Sequence, residues 1–231
     1  MFITHKTPEK RYVLLSFDVE PVDGELSVMD VLDVIYRTDT SATFFVTGEY
    51  AAEYPHMVRL MSGREVASHG YTHSRLTSLD VTAIQDELNS TRQLLRKLSG
   101  QDIIGFRAPY NIVDKRTLDI LEETGYTYDA SMIGSWGLLY PKVPGSLGEI
   151  PISSIFGIPL EDVIWLYYLR SPATYFYILD EKELPVESYL FHPHHIATHK
   201  KEFEKFINYL KGRGVIFISH RELTELDNGG S

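Results

Sequence analysis

Short apolar runs alternate along this chain with longer amphipathic stretches. YVLLSF (Tyr12–Phe17) is apolar but for Ser16, the pattern of a strand buried on both faces, and ATFFV (Ala42–Val46) repeats it. Further strands are predicted at Arg64–Ser68, Ile103–Phe106, Thr127–Ser131, Glu187–Phe191 and Val215–Ser219. Between them, apolar residues fall at helical spacing over Val28–Arg37, Tyr50–Met61, Lys115–Glu123 (stopped by Gly125) and Lys200–Lys211. The clearest helix is Asp80–Leu98, with Ile84, Leu88, Leu95 and Leu98 on one face and Ser78 or Asp80 as its cap. Strand–helix alternation of this kind predicts βαβ units and an α/β fold with a mainly parallel sheet. The Gly- and Pro-rich region Gly134–Pro159 breaks the rhythm and is expected to form loops, while Asp227–Ser231 is expected to fray.

The chain has 231 residues, read as a single domain over 1–231 with its core at about 12–219. With 22 Lys and Arg against 32 Asp and Glu, the net charge is −10, which argues against a nucleic-acid partner. There are no cysteines, so disulfides, Cys-based zinc sites, iron–sulfur clusters and thiol nucleophiles are excluded. The start, MFITHKTPEKRYVLLSFDVE, lacks the layout of a secretory leader, and VIWLYYL (Val163–Leu169) is too short to span a bilayer. The expectation is a cytoplasmic protein, with action at the inner membrane face as a variant.

In parallel α/β folds the carboxyl ends of the strands collect chemistry. Four polar clusters fall at such ends: Asp18 and Glu20, His69 and His73, Arg107, and His192. The two histidines of His69-Gly-Tyr-Thr-His73 are spaced to share a metal, and a carboxylate from Asp18 or Glu20 would complete a two-His, one-carboxylate set with an open position for water. Asp18 and Glu20, one residue apart on an extended chain, point the same way, so one can hold metal while the other acts as base. Arg107, in GFRAPY, is placed to pair with a strand-end acid and fix its orientation, or else with a backbone carbonyl. His192, in LFHPHH, reads as a general acid whose far nitrogen needs a carboxylate, for which Asp129 is the candidate. A competing reading makes a second metal site from His192, His194, His195 and His199.

The ordered motifs resemble those of the NodB-homology polysaccharide deacetylases, the family 4 carbohydrate esterases. SFDVE stands at the family's first motif, SATFFVTG at the following strand, SHGYTH at its H-x₃-H metal motif, RAPY at R-x-P-Y, YDAS near the fourth motif and LFH near L-x-H. The match runs from about Tyr12 to Ser219. The resemblance implies a distorted (β/α)₇ barrel and a divalent metal, usually Zn²⁺, with Co²⁺ or Ni²⁺ as substitutes. It implies Asp18 as base, His69 and His73 as metal ligands, Arg107 tuning Asp18, and His192 as acid with Asp129 as its partner. The Tyr110 backbone N–H would stabilise the oxyanion, and Trp136 would wall the acetyl methyl. One departure stands out: where the family has a second Asp as metal ligand, this chain has Val19, so the carboxylate ligand is assigned to Glu20, as in a D-x-E subgroup.

The expected activity is metal-dependent removal of an N-acyl group, an N-acetyl on an amino sugar of a polysaccharide, oligosaccharide or lipid-linked glycan. The rivals are a hydrolase of small amides, cyclic imides or ureides, and a glycan-binding module that has lost catalysis. Aromatic residues at Trp165–Tyr168 and Tyr175–Tyr177 suit sugar stacking or a plain core.

Overall fold

A computed structural model describes residues 10–134, 147–155, 157–164 and 184–228. Six strands, β1 (Tyr12–Val19), β2 (Thr43–Val46), β3 (Glu65–Ser68), β4 (Gly105–Phe106), β5 (Tyr128–Asp129) and β6 (Gly148–Glu149), lie parallel in chain order. After a small antiparallel hairpin, β7 (Ser154–Ile155) and β8 (Ile158–Pro159), the strands β9 (Val186–Phe191) and β10 (Ile216–Phe217) both pair with β1. Ser153 N–H donates to Ser188 O and Leu190 N–H to Leu160 O, so the residues flanking the hairpin rest on β9 and the sheet curls back toward its start. This is the parallel, barrel-like α/β architecture that the alternation predicts.

The helices are α1 (Gly24–Arg37), α2 (Gly48–Glu53), α3 (Pro55–Met61), α4 (Val81–Ser99), α5 (Lys115–Glu123), α6 (Pro193–Thr198), α7 (Lys200–Gly212) and α8 (His220–Asn228). Strand parity separates two cores. Val13, Leu15, Phe17 and Val19 lie in the layer shared with the helices, whereas Leu14 lies in the interior with Phe45, Ala67, Tyr128 and Ile150. Ser16 and Asp18 share the parity of Leu14 and therefore face inward. Helix α4 behaves as its sequence dictates: Asp80 accepts the Ala83 N–H at 2.9 Å, left-handed Gly100 (φ 73°) ends it, and Ile84, Leu88 and Leu95 are buried.

Three expectations on local structure are revised. The helix expected over Tyr50–Met61 is two, because Pro55 forces Tyr54 out of the helical region (φ −123°, ψ 60°). The region expected to be loops holds β6 and the β7–β8 hairpin. Helix α8 reaches Asn228, into the stretch expected to fray, and buries His220 and Leu223 at its start. Residues 229–231 lie outside the described residues.

The register matters most for function. Val19 pairs with Val46, Val46 with Ser68, Ser68 with Phe106, Phe106 with Asp129, and Phe17 with Phe191. The carboxyl ends of six strands thus share one rim, and Asp18, Glu20, His69, Arg107 and His192 sit at or just past them.

Candidate active site

Glu20, His69 and His73 converge. Glu20 Oε1 lies 3.1 Å from His73 Nε2 and 3.9 Å from His69 Nε2. Tetrahedral zinc with bonds of 2.0–2.2 Å needs its donors about 3.4 Å apart, so the three residues fit a divalent ion with little movement. Parity explains why Val19 is compatible with such a site: it is fully buried beneath the helices and could not face the rim, whereas Glu20 does. His69 Nδ1 lies 2.8 Å from Arg107 O, an arrangement in which Nδ1–H donates and Nε2 is left to ligate. Burial lowers the His69 pKa, which favours that neutral form. Burial would raise the Glu20 carboxyl, but the hydrogen bond from His73 and the charges of His69, His73 and His192 outweigh it and hold the pKa at about 2.

The loop bearing the histidines is tied at both ends. Gly70 takes φ 72°, and the Gly70 and Tyr71 carbonyls accept the first N–H groups of α2. From α4, the Glu87 carboxylate accepts the Tyr71 and Thr72 N–H groups and the Thr72 hydroxyl. His73 (φ 56°), Tyr110 (φ 62°) and Asn111 (φ 57°) are left-handed without being glycine, and the Tyr110 ring lies on His73 with centroids 4.7 Å apart. Such conformations are strained and cluster at functional sites.

Asp18 stands beside this cluster, its Oδ2 3.6 Å from His69 Nε2. Its other oxygen accepts Arg107 Nη1–H at 2.9 Å, as the sequence led us to expect. Arg107 is fully buried, also donating to Ser16 Oγ and Ala130 O at 2.8 Å each, with its guanidinium 4.1 Å from the Phe45 ring centroid.

His192 also reaches the cluster, with Nε2 3.8 Å from Glu20 Oε1. Its partner is not Asp129. Asp162 Oδ1 lies 2.8 Å from His192 Nδ1, and Asp162 Oδ2 accepts the His192 backbone N–H. Burial lowers the His192 pKa, but the buried Asp162 carboxylate more than offsets this and raises it to about 10. Asp129 is buried at the other edge of the rim, where it accepts the Ser131 hydroxyl at 2.7 Å and lies in register with Glu149. Ser131 Oγ in turn accepts the Ala108 N–H at 2.8 Å, so Asp129 supports the loop that carries Arg107 and Tyr110. Burial raises the Asp129 pKa, and burial next to Asp129 pushes Glu149 up to about 10. Trp136, Trp165–Tyr168 and Tyr175–Tyr177 lie outside the described residues.

Three acids that the motifs did not single out also serve this rim. Asp162 follows the apolar stretch GIPL, the same acid-after-strand signal that flagged Asp18. Its neighbour Glu161, raised by burial, feels the charges of His192, Asp18 and Arg107. Asp23 has a fully buried side chain whose Oδ2 accepts the Glu20 N–H at 2.7 Å, while Oδ1 accepts the His194 N–H at 2.9 Å and lies 2.6 Å from His194 Nδ1. One carboxylate therefore fixes the Glu20 turn relative to the His192 turn.

Comparison with known proteins bears on the family and the fold. Residues 5–128 match the family pattern described as polysaccharide deacetylase. The peptidoglycan-N-acetylmuramic acid deacetylase PdaA of Bacillus subtilis is 32% identical over 128 residues, 54% of this chain and 48% of that protein. A family 4 carbohydrate esterase from Streptomyces lividans, solved with acetate, superposes with TM-score 0.67 at 22% identity, covering 90% of this chain and 91% of the other. A family 4 pseudoenzyme from Bacillus anthracis superposes at least as well, with TM-score 0.72 at 20% identity over 94% of this chain and 66% of that one, so the fold alone does not separate active from inactive members. The matched part spans about half the length, or less, of the curated relatives. No helix among the described residues is long and apolar enough to cross a membrane. With the family pattern covering more than half of its length, this chain belongs to the polysaccharide deacetylase family.

Proposed function

We propose that this protein is a metal-dependent hydrolase that removes an N-acetyl group from an amino sugar in a glycan. The observation that carries the reading is the convergence of Glu20, His69 and His73 within ligand distance of one another, with Asp18 beside His69 and His192 beside Glu20. These three residues would hold the ion, and zinc suits their nitrogen and oxygen donors and spacing. When bound, a divalent ion supplies Lewis-acid polarisation of the acyl carbonyl and acidifies water.

In this reading Asp18, oriented by Arg107, accepts the proton of the attacking water. The Tyr110 backbone N–H stabilises the oxyanion as the acyl carbon becomes tetrahedral. The C–N bond then breaks, and His192, kept protonated by Asp162, gives its proton to the departing amine, leaving acetate and a free amino sugar. Asp18 lies beside His69 and His192 beside Glu20, so base and acid are both within reach of the ligand cluster. The activity for which the Bacillus subtilis relative is named, deacetylation of N-acetylmuramic acid in peptidoglycan, concerns the same kind of bond.

The test is acetate release by zinc-loaded protein from N-acetylglucosamine oligomers and peptidoglycan fragments, run beside a panel of formamides, cyclic imides and ureides. Turnover on the glycans, lost by at least 10²-fold in Asp18→Asn, is the expected result. Turnover on the small amides alone would move the substrate to that class. No turnover on either panel, with zinc bound, would leave a binding module.

A further inference from the structure

Among the described residues, one other group of metal-type donors converges: Asp162, His192 and His195, with an atom from each within 4.8 Å of the others. His192 caps α6 and His195 lies three residues on, one helical turn later, so both rings reach the same side. Asp162 comes from the turn after β8, and its side chain is fully buried between them.

The distances select the occupant. His195 Nδ1 lies 3.5 Å from Asp162 Oδ2, already the separation of about 3.4 Å that a tetrahedral zinc imposes on its donors. His192 Nδ1 to Asp162 Oδ1, at 2.8 Å, is a hydrogen-bond length that opens by about 0.6 Å when an ion replaces the proton. His194 is not part of this group, its Nδ1 being turned to Asp23. Two imidazoles and a carboxylate are the ligand set of zinc-type ions rather than of magnesium or calcium, which take oxygen.

We propose that Asp162, His192 and His195 form a second site for a zinc-type divalent ion, separate from the Glu20–His69–His73 site and weaker than it. It is weaker because the hydrogen bond the ion must displace, His192 to Asp162 at 2.8 Å, is shorter than the 3.1 Å contact of His73 with Glu20 at the first site. Its consequence rests on the function proposed above. An ion on His192 Nδ1 leaves Nε2–H on a neutral imidazole, a poor proton donor, so filling the second site inhibits turnover. Excess zinc thus switches off an enzyme that the first equivalent switches on.

The experiment is a zinc titration of the chelator-stripped full-length chain by calorimetry, with bound metal counted after gel filtration. Wild type should take two equivalents in two separate events. Glu20→Ala should lose the tighter event, and His195→Ala or His195→Asn only the weaker one. A single equivalent in wild type, or two retained in both His195 variants, overturns the site, and the wild-type titration decides alone if those variants fail to fold. Activity is a separate readout: wild type should fall from its one-equivalent rate as zinc is raised, and His195→Ala should keep its own one-equivalent rate. A second ion that binds without inhibiting leaves the site standing and removes His192 from the role of acid.

Discussion

The contact between Arg107 and Asp18 gives the most demanding test of how this site is built. Replacing Arg107 by Met keeps much of its volume but removes the guanidinium. The Asp18 side chain, 4% exposed, then loses its 2.9 Å partner and is left with the charge of His192 as compensation. Stranding a buried charge costs about 3–5 kcal/mol. The acceptors Ser16 Oγ and Ala130 O lose a bond each, at about 1 kcal/mol apiece. Set against a total stability of about 5–15 kcal/mol for a domain, Arg107→Met should be close to unfolding. Asp18→Asn strands the buried guanidinium instead, but should cost less because its amide oxygen still accepts from Arg107. The decisive molecule is the double variant Asp18→Asn/Arg107→Met, in which no charge is stranded. It should be more stable than the sum of the single effects by about 2–3 kcal/mol. Urea unfolding followed by far-ultraviolet circular dichroism, on chelator-treated protein so that metal linkage does not offset the loss, measures all four species. Additivity within about 0.5 kcal/mol would refute the idea that Arg107 exists to compensate and aim Asp18.

Other outcomes follow from the same geometry. Asp23→Ala frees the Glu20 turn from the His194 turn, and should weaken zinc binding about 10–100-fold by calorimetry while leaving far-ultraviolet dichroism unchanged. Chelation should lower the melting temperature and abolish acetate release, with both restored by zinc; a metal-stripped protein of unchanged melting temperature would argue against a resident ion. Glu149, raised by burial beside Asp129 from 4.5 to about 10, holds a proton when folded that the unfolded chain releases. Its contribution to stability is therefore complete below about pH 4.5 and fades as pH rises through about 10, by up to ~1.4 kcal/mol per unit. Glu149→Gln stays neutral, so its unfolding free energy should decline less steeply than wild type between pH 6 and 9. In Gly105→Ala the new Cβ would fall 2.0 Å from the Tyr128 ring and hydroxyl, so urea titration should show a loss of about 1–3 kcal/mol.

Most of the rim was legible because its residues break a strong pattern. An acid or imidazole that ends an apolar strand has no structural reason to be there, and Asp18, Glu20, His69, Arg107 and His192 all announce themselves in that way. The sequence could not say which acid holds which imidazole. Asp129 ends a strand as Asp18 does, yet the curl of the sheet turns it toward Ser131 and Glu149 and away from His192. Asp162 was hidden because it lies just past the stretch where Gly and Pro obscure the alternation, so no strand was predicted for it to follow. Asp23 reads locally as a polar residue at a helix start. Only the fold shows that its carboxylate spans two turns 171 residues apart in the chain. Fold class came through because buried parallel strands need long apolar runs, whereas the short α8 carries too few apolar positions to declare itself.

His73, Tyr110 and Asn111 keep a backbone conformation that costs each of them about 1 kcal/mol or more, and the neighbouring contacts are what hold it. A campaign that selected variants for heat tolerance alone would find glycine at Asn111 an easy gain, since it removes that penalty outright. The same change would let the Tyr110 ring drift from His73, so hardier clones should emerge with blunted turnover unless catalysis is selected in parallel.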